Sequence, residues 1–351
     1  MWQTIGQDKA VFLLQRSLET DQLANAYLFV GPRHVGKANL ALELAQALNC
    51  DAKEPPCGQC LSCTRILSGI HADVSVVGTV STGVSRLKSE IGIDQIREMQ
   101  HSASLPPFEG RYKVFIIDGA EHLSVEAANC LLKTLEEAWG NLLFILLTSD
   151  ERFILPTIVS RCQRIELPPV STDTIMEALQ NGLYIEASRA NFLATLSHGR
   201  LGWALLAVND ENMVAQRVAC IRDLVHIIRS DYVDRFTFAT QLATQFNQTR
   251  EIIYDMFELW LYWWRDLLLV NIKNEYMVMF ADDYAMVAQL AANFSINQIR
   301  GVIRSIEAAK VQLQRNANPR LVMEVLLSTF LKIREMSKKP LLSILMVIML
   351  M

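Results

Sequence analysis

The stretch GPRHVGKA, Gly31 to Ala38, has the spacing of a phosphate-binding loop, G-x-x-x-x-G-K, with Ala38 where a serine or threonine normally follows the lysine. In such a loop the backbone N–H groups that follow Gly31 and precede Gly36 point at phosphate oxygens, and Lys37 reaches the β and γ phosphates. The missing hydroxyl is the one that normally ligates Mg²⁺, so Ala38 has nothing to offer the metal. Asp118, at the end of YKVFIID, suits the acidic metal-associated position; the alternative is a solvated residue at a strand end. An ATPase of this kind usually places a water-orienting glutamate directly after that aspartate. Here Gly119 follows, and Glu121 lies one step too far on to point the same way.

Cys50, Cys57, Cys60 and Cys63 are spaced C-x6-C-x2-C-x2-C. Two C-x-x-C steps and a nearby fourth thiol let four thiolates converge on Zn²⁺, and four protein ligands leave no open position for substrate, so the site reads as structural. Four unrelated thiols and an iron–sulfur cluster are the alternatives. Cys130, Cys162 and Cys220 are scattered and read as core or near-core thiols.

These residues need elements to hold them. AYLFV (26–30), DVSVVG (73–78), YKVFIID (112–118) and NLLFILLTS (141–149) are strand-sized apolar runs, each followed by a helix-length amphipathic stretch, the last by RFILPTIVSRC. That alternation predicts a parallel sheet with crossover helices. At ELPPVS, Glu166 to Ser171, paired prolines end the pattern, and only helical periodicity follows. The expected division is an α/β P-loop domain over 1–166 with the cysteine insertion near 50–63, a helical lid over 167–210 and an all-α domain over 211–336. The glycines of SHGRLG (197–202) suit a tight helix-to-helix turn, and Arg200 within it reads as a solvated turn residue. In ELWLYWWRDLLL, Trp260, Tyr262, Trp263 and Trp264 are too many apolar faces for one side of a helix, which fits either a core or a subunit interface.

The chain has 351 residues, 51% hydrophobic and 20% charged, with a formal net charge of −4. That is a globular composition, and it argues against a protein whose whole surface grips nucleic acid. The N-terminal segment has acidic residues and no long apolar core, so it reads as neither a signal nor a transit peptide, and the cytoplasm is the expected compartment. The apolar tail within 337–351, ending LLSILMVIMLM, falls short of the about 20 residues a spanning helix needs and is expected to pack or fray rather than anchor.

Taken in order, GPRHVGKA, the four cysteines, IGIDQIREM, KVFIIDGAEHL, ANCLLKTLEEA and LPTIVSRCQRIELPPVS resemble the delta-prime subunits of bacterial DNA polymerase III clamp loaders, within the AAA+ group. The resemblance covers most of residues 1–208 and implies an AAA+ domain, a helical lid and a helical collar. It implies that Arg161, in Ser160-Arg161-Cys162, reaches as an arginine finger into the ATP site of a neighbouring subunit. It places Thr148 at a polar sensor position beside the nucleotide, where the alternative is an ordinary strand-end threonine. Its implied partners are the tau/gamma motor and delta subunits, the sliding clamp transiently, and primer–template DNA through the assembled complex, with no membrane. Ala138 and Trp139 stand where the family commonly has proline after TLEE.

The combined expectation is a stator: structural zinc, ATP or ADP held weakly or without hydrolysis, and a cation lent to another chain's nucleotide. An active AAA+ motor ATPase is one alternative. A zinc-dependent nucleic-acid-binding module is the other, against which stands the insertion's sparse charge, Lys53 and Arg65 against Asp51 and Glu54.

Overall fold

Apolar runs that are continuous rather than alternating belong to parallel strands covered on both faces, and the computed structural model, which describes residues 2–78, 90–136, 140–273 and 291–336, has them as such. Strands β1 (Ala26–Val30), β2 (Val74–Gly78), β3 (Lys113–Asp118) and β4 (Leu142–Thr148) are the four expected runs. A fifth, β5 (Gln163–Glu166), completes a parallel sheet in the order β2-β3-β4-β1-β5. All seven residues of β4 are buried, as its central place requires. Phe115 of β3 stacks on Phe144 of β4 with ring centroids 5.5 Å apart.

The segment after β4 is a correction. RFILPTIVSRC reads as helical throughout, but it breaks into a 3-10 turn (Glu151–Phe153) and one short helix (Pro156–Val159), and the chain then enters β5. Only Ile165 of QRIE is buried, because β5 lies at the sheet edge. An edge strand of four residues has neither the length nor the alternation that reveals strands in sequence. The prolines Pro168 and Pro169 lie just beyond it, where the sheet ends.

The helices of this region are α1 (Asp8–Glu19), α2 (Lys37–Asn49), α3 (Leu61–Leu67), α4 (Ile93–Ala103), α5 (Val125–Glu136) and α6 (Pro156–Val159). They are followed by α7 (Thr172–Leu183), α8 (Ala187–Ser197) and α9 (Leu201–Ala207). Ser171 caps α7 by accepting from the Thr174 N–H. The chain divides into two compact units, Met1–Ala190 with Gly199–Leu205, and Asn191–His198 with Leu206–Met351.

The second unit is helical among its described residues, with α10 (Glu211–Arg229), α11 (Tyr232–Gln248), α12 (Arg250–Asn271), α13 (Ile296–Gln314) and α14 (Pro319–Met336). Its core answers the question posed by the tryptophans of α12. Trp260, Trp263 and Trp264 are buried within this one chain, against Phe257, Phe294 and Phe330. They are core residues, and Tyr262 lies beside them with its ring stacked on His198. Arg235 of α11 is also buried, and it donates to the carbonyls of Ile228, Ser230 and Leu327 at 2.9, 3.2 and 3.0 Å. It thereby satisfies the end of α10 and ties it to α14. The apolar tail and the departure at Ala138 and Trp139 lie outside the described residues.

Arg235→Ala strips a partner from three buried carbonyls at once, each worth about 1–3 kcal/mol when left unsatisfied. The substitution is expected to lower the urea unfolding midpoint by the equivalent of about 2–4 kcal/mol. Arg235→Lys should recover only part of the loss, since one ammonium cannot span three acceptors on two helices.

Candidate functional site

Parallel pairing puts the carboxyl ends of β1, β3 and β4 side by side, and the sequence-predicted nucleotide residues lie at those ends. Val30 is opposite Thr148, and Asp118 is opposite Leu147. The Gly31 N–H donates to the Thr148 carbonyl at 3.1 Å and the Gly119 N–H to the Leu147 carbonyl at 3.2 Å, so the sheet's hydrogen bonding runs on into both loops. Gly31 has no room for a side chain, because a Cβ there would come within 2.3 Å of the Leu167 carbonyl oxygen. Thr148 is buried and its hydroxyl accepts from the Asp150 N–H at 3.1 Å, whereas Asp118 is exposed.

Gly36 precedes α2, and Lys37 is its first residue. The lysine is buried, and its ammonium donates to the carbonyls of Gly31 at 2.6 Å and Pro32 at 2.8 Å, within the loop itself. Burial pulls Lys37 down to about 8; Arg33 and Arg200 push the same way, while Glu121 and Asp118 oppose the fall. Ala38, next to it, contributes no oxygen.

Two members of this electrostatic set are ones that sequence reasoning undervalued. Arg200 is 2% exposed, not a solvated turn residue. The reason is a close approach: the Gly202 N–H donates to the His34 carbonyl at 2.8 Å, and a Cβ on Gly202 would lie 2.9 Å from that oxygen. The glycine of SHGRLG therefore lets backbone pack onto the phosphate loop, and it carries Arg200 to where its charge acts on Lys37. The G-R-L-G spacing was the available signal. Glu121 is the second. Its carboxylate accepts from the Ser149 N–H at 3.1 Å and from the Ser149 hydroxyl at 2.6 Å. Burial works to raise this carboxyl, but hydrogen bonds from Ser149 and Thr148 and the nearby His122 outweigh it and hold it below the ordinary carboxylate range. Glu121 is thus tied to the end of β4.

The four cysteines do converge. The sulfurs of Cys50, Cys57, Cys60 and Cys63 all lie within 4.8 Å of one another. The Cys57–Cys63 and Cys50–Cys60 separations are 4.0 and 3.9 Å, close to the edge of about 3.8 Å that a tetrahedron of Zn–S bonds of about 2.3 Å requires. The N–H groups of Cys60 and Cys63 donate to the sulfurs of Cys57 and Cys60 at 3.3 and 3.5 Å. Burial pushes the Cys63 thiol up to about 12, whereas backbone donors at Gln59 and Cys60 bring Cys57 down to about 6. A divalent cation is what allows four such sulfurs to be thiolates together. The cluster fits structural zinc. It is fastened to α2 directly: Cys50 follows Asn49, and the Gln46 side chain donates to the Cys63 carbonyl at 2.9 Å. Burial pushes Cys162 and Cys220 up to about 12, and Cys130 is half-buried, in keeping with near-core thiols.

Arg161 follows α6 and its side chain is 36% exposed. Its Nε donates to Glu136 Oε1 at 2.9 Å, Nη2 donates to the same oxygen, and Nη1 donates to the Thr157 carbonyl at 2.9 Å.

A parallel sheet of this strand order, with a phosphate loop between β1 and α2 and an all-helical continuation, defines a P-loop protein of the AAA+ type. The chain belongs to the delta-prime subunit family of DNA polymerase III. The profile of the family described as "DNA polymerase III, delta subunit" matches residues 6–171. DNA polymerase III subunit delta' of Bacillus subtilis (strain 168) is 30% identical over 319 residues, covering 91% of this chain and 94% of that one. The tau subunit of the same organism is 30% identical over 288 residues, 76% of this chain and 49% of tau. The gamma subunit of Buchnera aphidicola is 35% identical over 178 residues, half of this chain and 47% of gamma. No described helix is long and apolar enough to cross a membrane.

Two measurements probe the site. The purified chain is expected to carry about one equivalent of zinc, and a strong chelator or Cys60→Ser should lower its thermal midpoint by several degrees. For Lys37, the folded value of about 8 lies below the ordinary 10.5, so between those pH values the unfolded chain binds more protons and stability rises with pH. Relative to Lys37→Met, the wild-type chain should therefore gain stability as pH goes from about 8 to 10.5, by on the order of 3 kcal/mol at most. A flat difference across that interval would contradict the buried cation.

Proposed function

We propose that this chain is the stator of a DNA polymerase III clamp loader: a subunit that does not split its own ATP but presents Arg161 to the nucleotide of a neighbouring motor subunit. The reading rests on the contrast between two cations. Lys37 is buried and bonded to its own loop, beside an alanine that cannot ligate Mg²⁺, whereas Arg161 is half-exposed at the surface. A guanidinium is always charged and forks onto phosphate oxygens, so it can stabilise charge developing on a γ phosphate held by another chain.

In this scheme Gly31, Gly36, Lys37, Ala38, Asp118 and Thr148 form a nucleotide cradle that holds ATP or ADP weakly or without hydrolysis. Cys50, Cys57, Cys60 and Cys63 hold structural zinc. Domain 1–166 supplies the finger, 167–210 is a lid, 211–336 is the collar that assembles the ring, and 337–351 has no assigned role. The partners are tau/gamma and delta subunits, with the sliding clamp and primer–template DNA engaged through the assembled complex, in the cytoplasm. ATP binding by the motor subunits tightens the ring around the clamp, and hydrolysis loosens it. Substantial DNA-stimulated ATP turnover by the isolated chain would instead identify an active motor.

Reconstitution with tau and delta, clamp and primed DNA tests the assignment. An arginine finger is worth on the order of 10³–10⁵ in turnover at its own site, so Arg161→Ala should cut clamp-dependent ATPase strongly even though other sites in the ring keep their own cations. Lys37→Ala should leave turnover close to wild type. The reverse ranking sinks the stator reading.

A further inference from the structure

Arg161 is not left to find its own conformation, and the residue that governs it comes from a different element. We propose that Glu136, at the end of α5, is a positioning residue for the arginine finger: it fixes the guanidinium plane before a neighbour's nucleotide arrives. The inference rests on the reading of Arg161 given above.

An arginine side chain has large rotamer freedom, and a half-exposed one samples many directions in water. Here two acceptors on two elements hold it. Glu136 Oε1 takes the Nε–H at 2.9 Å and an N–H of Nη2, which occupies the side edge of the guanidinium. The Thr157 carbonyl on α6 takes an N–H of Nη1 at 2.9 Å, and the Ser160 hydroxyl makes a longer contact with the same nitrogen at 3.5 Å. With five N–H groups on the guanidinium and these contacts made, one N–H on Nη2 is unengaged and the second on Nη1 is at most weakly held. The unengaged Nη2 N–H lies at the end of the fork, the edge that can address phosphate oxygen, because its other N–H shares the side edge with Nε. The carboxylate thus grips the edge that is not needed and leaves the other presented.

A lock that withholds the finger is the competing role for the same ion pair. It fits less well. The two side chains are 36% and 51% exposed, and pairs this accessible to water are weak. Such a pair can narrow the orientations of a side chain, but it does not outcompete a phosphate that carries several charges. Orientation gained before encounter is also where a static contact helps turnover most, because the ordering cost is then met outside the chemical step.

The test is a set of variants in the reconstituted complex with tau, delta, clamp and primed DNA, read as kcat and KM for ATP. Misplacing a catalytic group by 1 Å can cost on the order of 100-fold, and Glu136→Ala removes one of the two acceptors while the Thr157 carbonyl still holds Nη1, so the variant is expected to lower kcat about fivefold to tenfold with KM unchanged. Glu136→Gln, which keeps an acceptor oxygen, should retain most of the activity. Glu136→Ala combined with Arg161→Ala should be no slower than Arg161→Ala alone, since a positioning residue has nothing to position once the finger is gone. The thermal midpoint of the free Glu136→Ala chain should match wild type, which separates this role from a structural one. If Arg161→Ala slows turnover but Glu136→Ala does not, the pair is an ordinary surface contact and the inference fails while the finger stands. Faster turnover in both Glu136 variants would identify a lock and overturn it equally. If Arg161→Ala itself is neutral, the finger reading fails, and Glu136 goes with it.

Discussion

The hydrogen-bonded register of β1 against β4 is the constraint from which the rest of the site follows. With Val30 opposite Thr148 and the Gly31 N–H donating to the Thr148 carbonyl, the start of the phosphate loop is an extension of the sheet. β3 pairs on the far side of β4 and brings Asp118 level with Leu147. The conformational freedom of the loop is removed by strands whose burial is secured elsewhere, which is why loop residues of such sheets can be positioned without a core of their own. Shifting that register by one residue would turn Thr148 to the opposite face of the sheet and move the Gly31–Ala38 loop relative to Asp118.

Helix α2 carries this constraint outward. Its first residue is Lys37 and its last, Asn49, exchanges side-chain hydrogen bonds with the backbone of Tyr112 at 2.9 and 3.0 Å, just before β3. Cys50 comes next, and Gln46 fastens α3 through the Cys63 carbonyl. The cysteine cluster therefore braces the far end of the same helix whose near end meets the phosphate loop. With zinc bound, such a cluster would be a closed tetrahedral site, offering rigidity to α2 and the insertion and no reactive position.

The two ends of the charge distribution differ in kind. Around Lys37, which is itself buried, Arg33, Arg200, Glu121 and Asp118 all act on the ammonium, and burial dominates the outcome. Around Arg161 the environment is half-exposed, and hydrogen-bond geometry rather than burial sets what the side chain can do. The first arrangement keeps its cation bonded within its own loop, and the second leaves its cation partly open to solvent.

What the sequence determined by itself were features carried by local pattern. Four continuous apolar runs between amphipathic stretches were enough for a parallel α/β sheet, C-x2-C-x2-C with a fourth cysteine was enough for the convergence of four thiols, and Ala38 and Gly119 were legible as missing oxygens because each is defined by its neighbour in the chain. What only the tertiary structure decided depended on partners far away along it. β5 is a strand because β1 offers it an open edge, not because QRIE alternates. Arg200 is buried because Gly202 lets its segment approach His34, far away along the chain. The tryptophans of α12 are core because Phe294 and Phe330 close over them. Glu136 meets Arg161 across 25 positions of chain. Periodicity records which face of an element is buried, but not what it is buried against, and side-chain partnerships of that second kind exist only once the chain has folded.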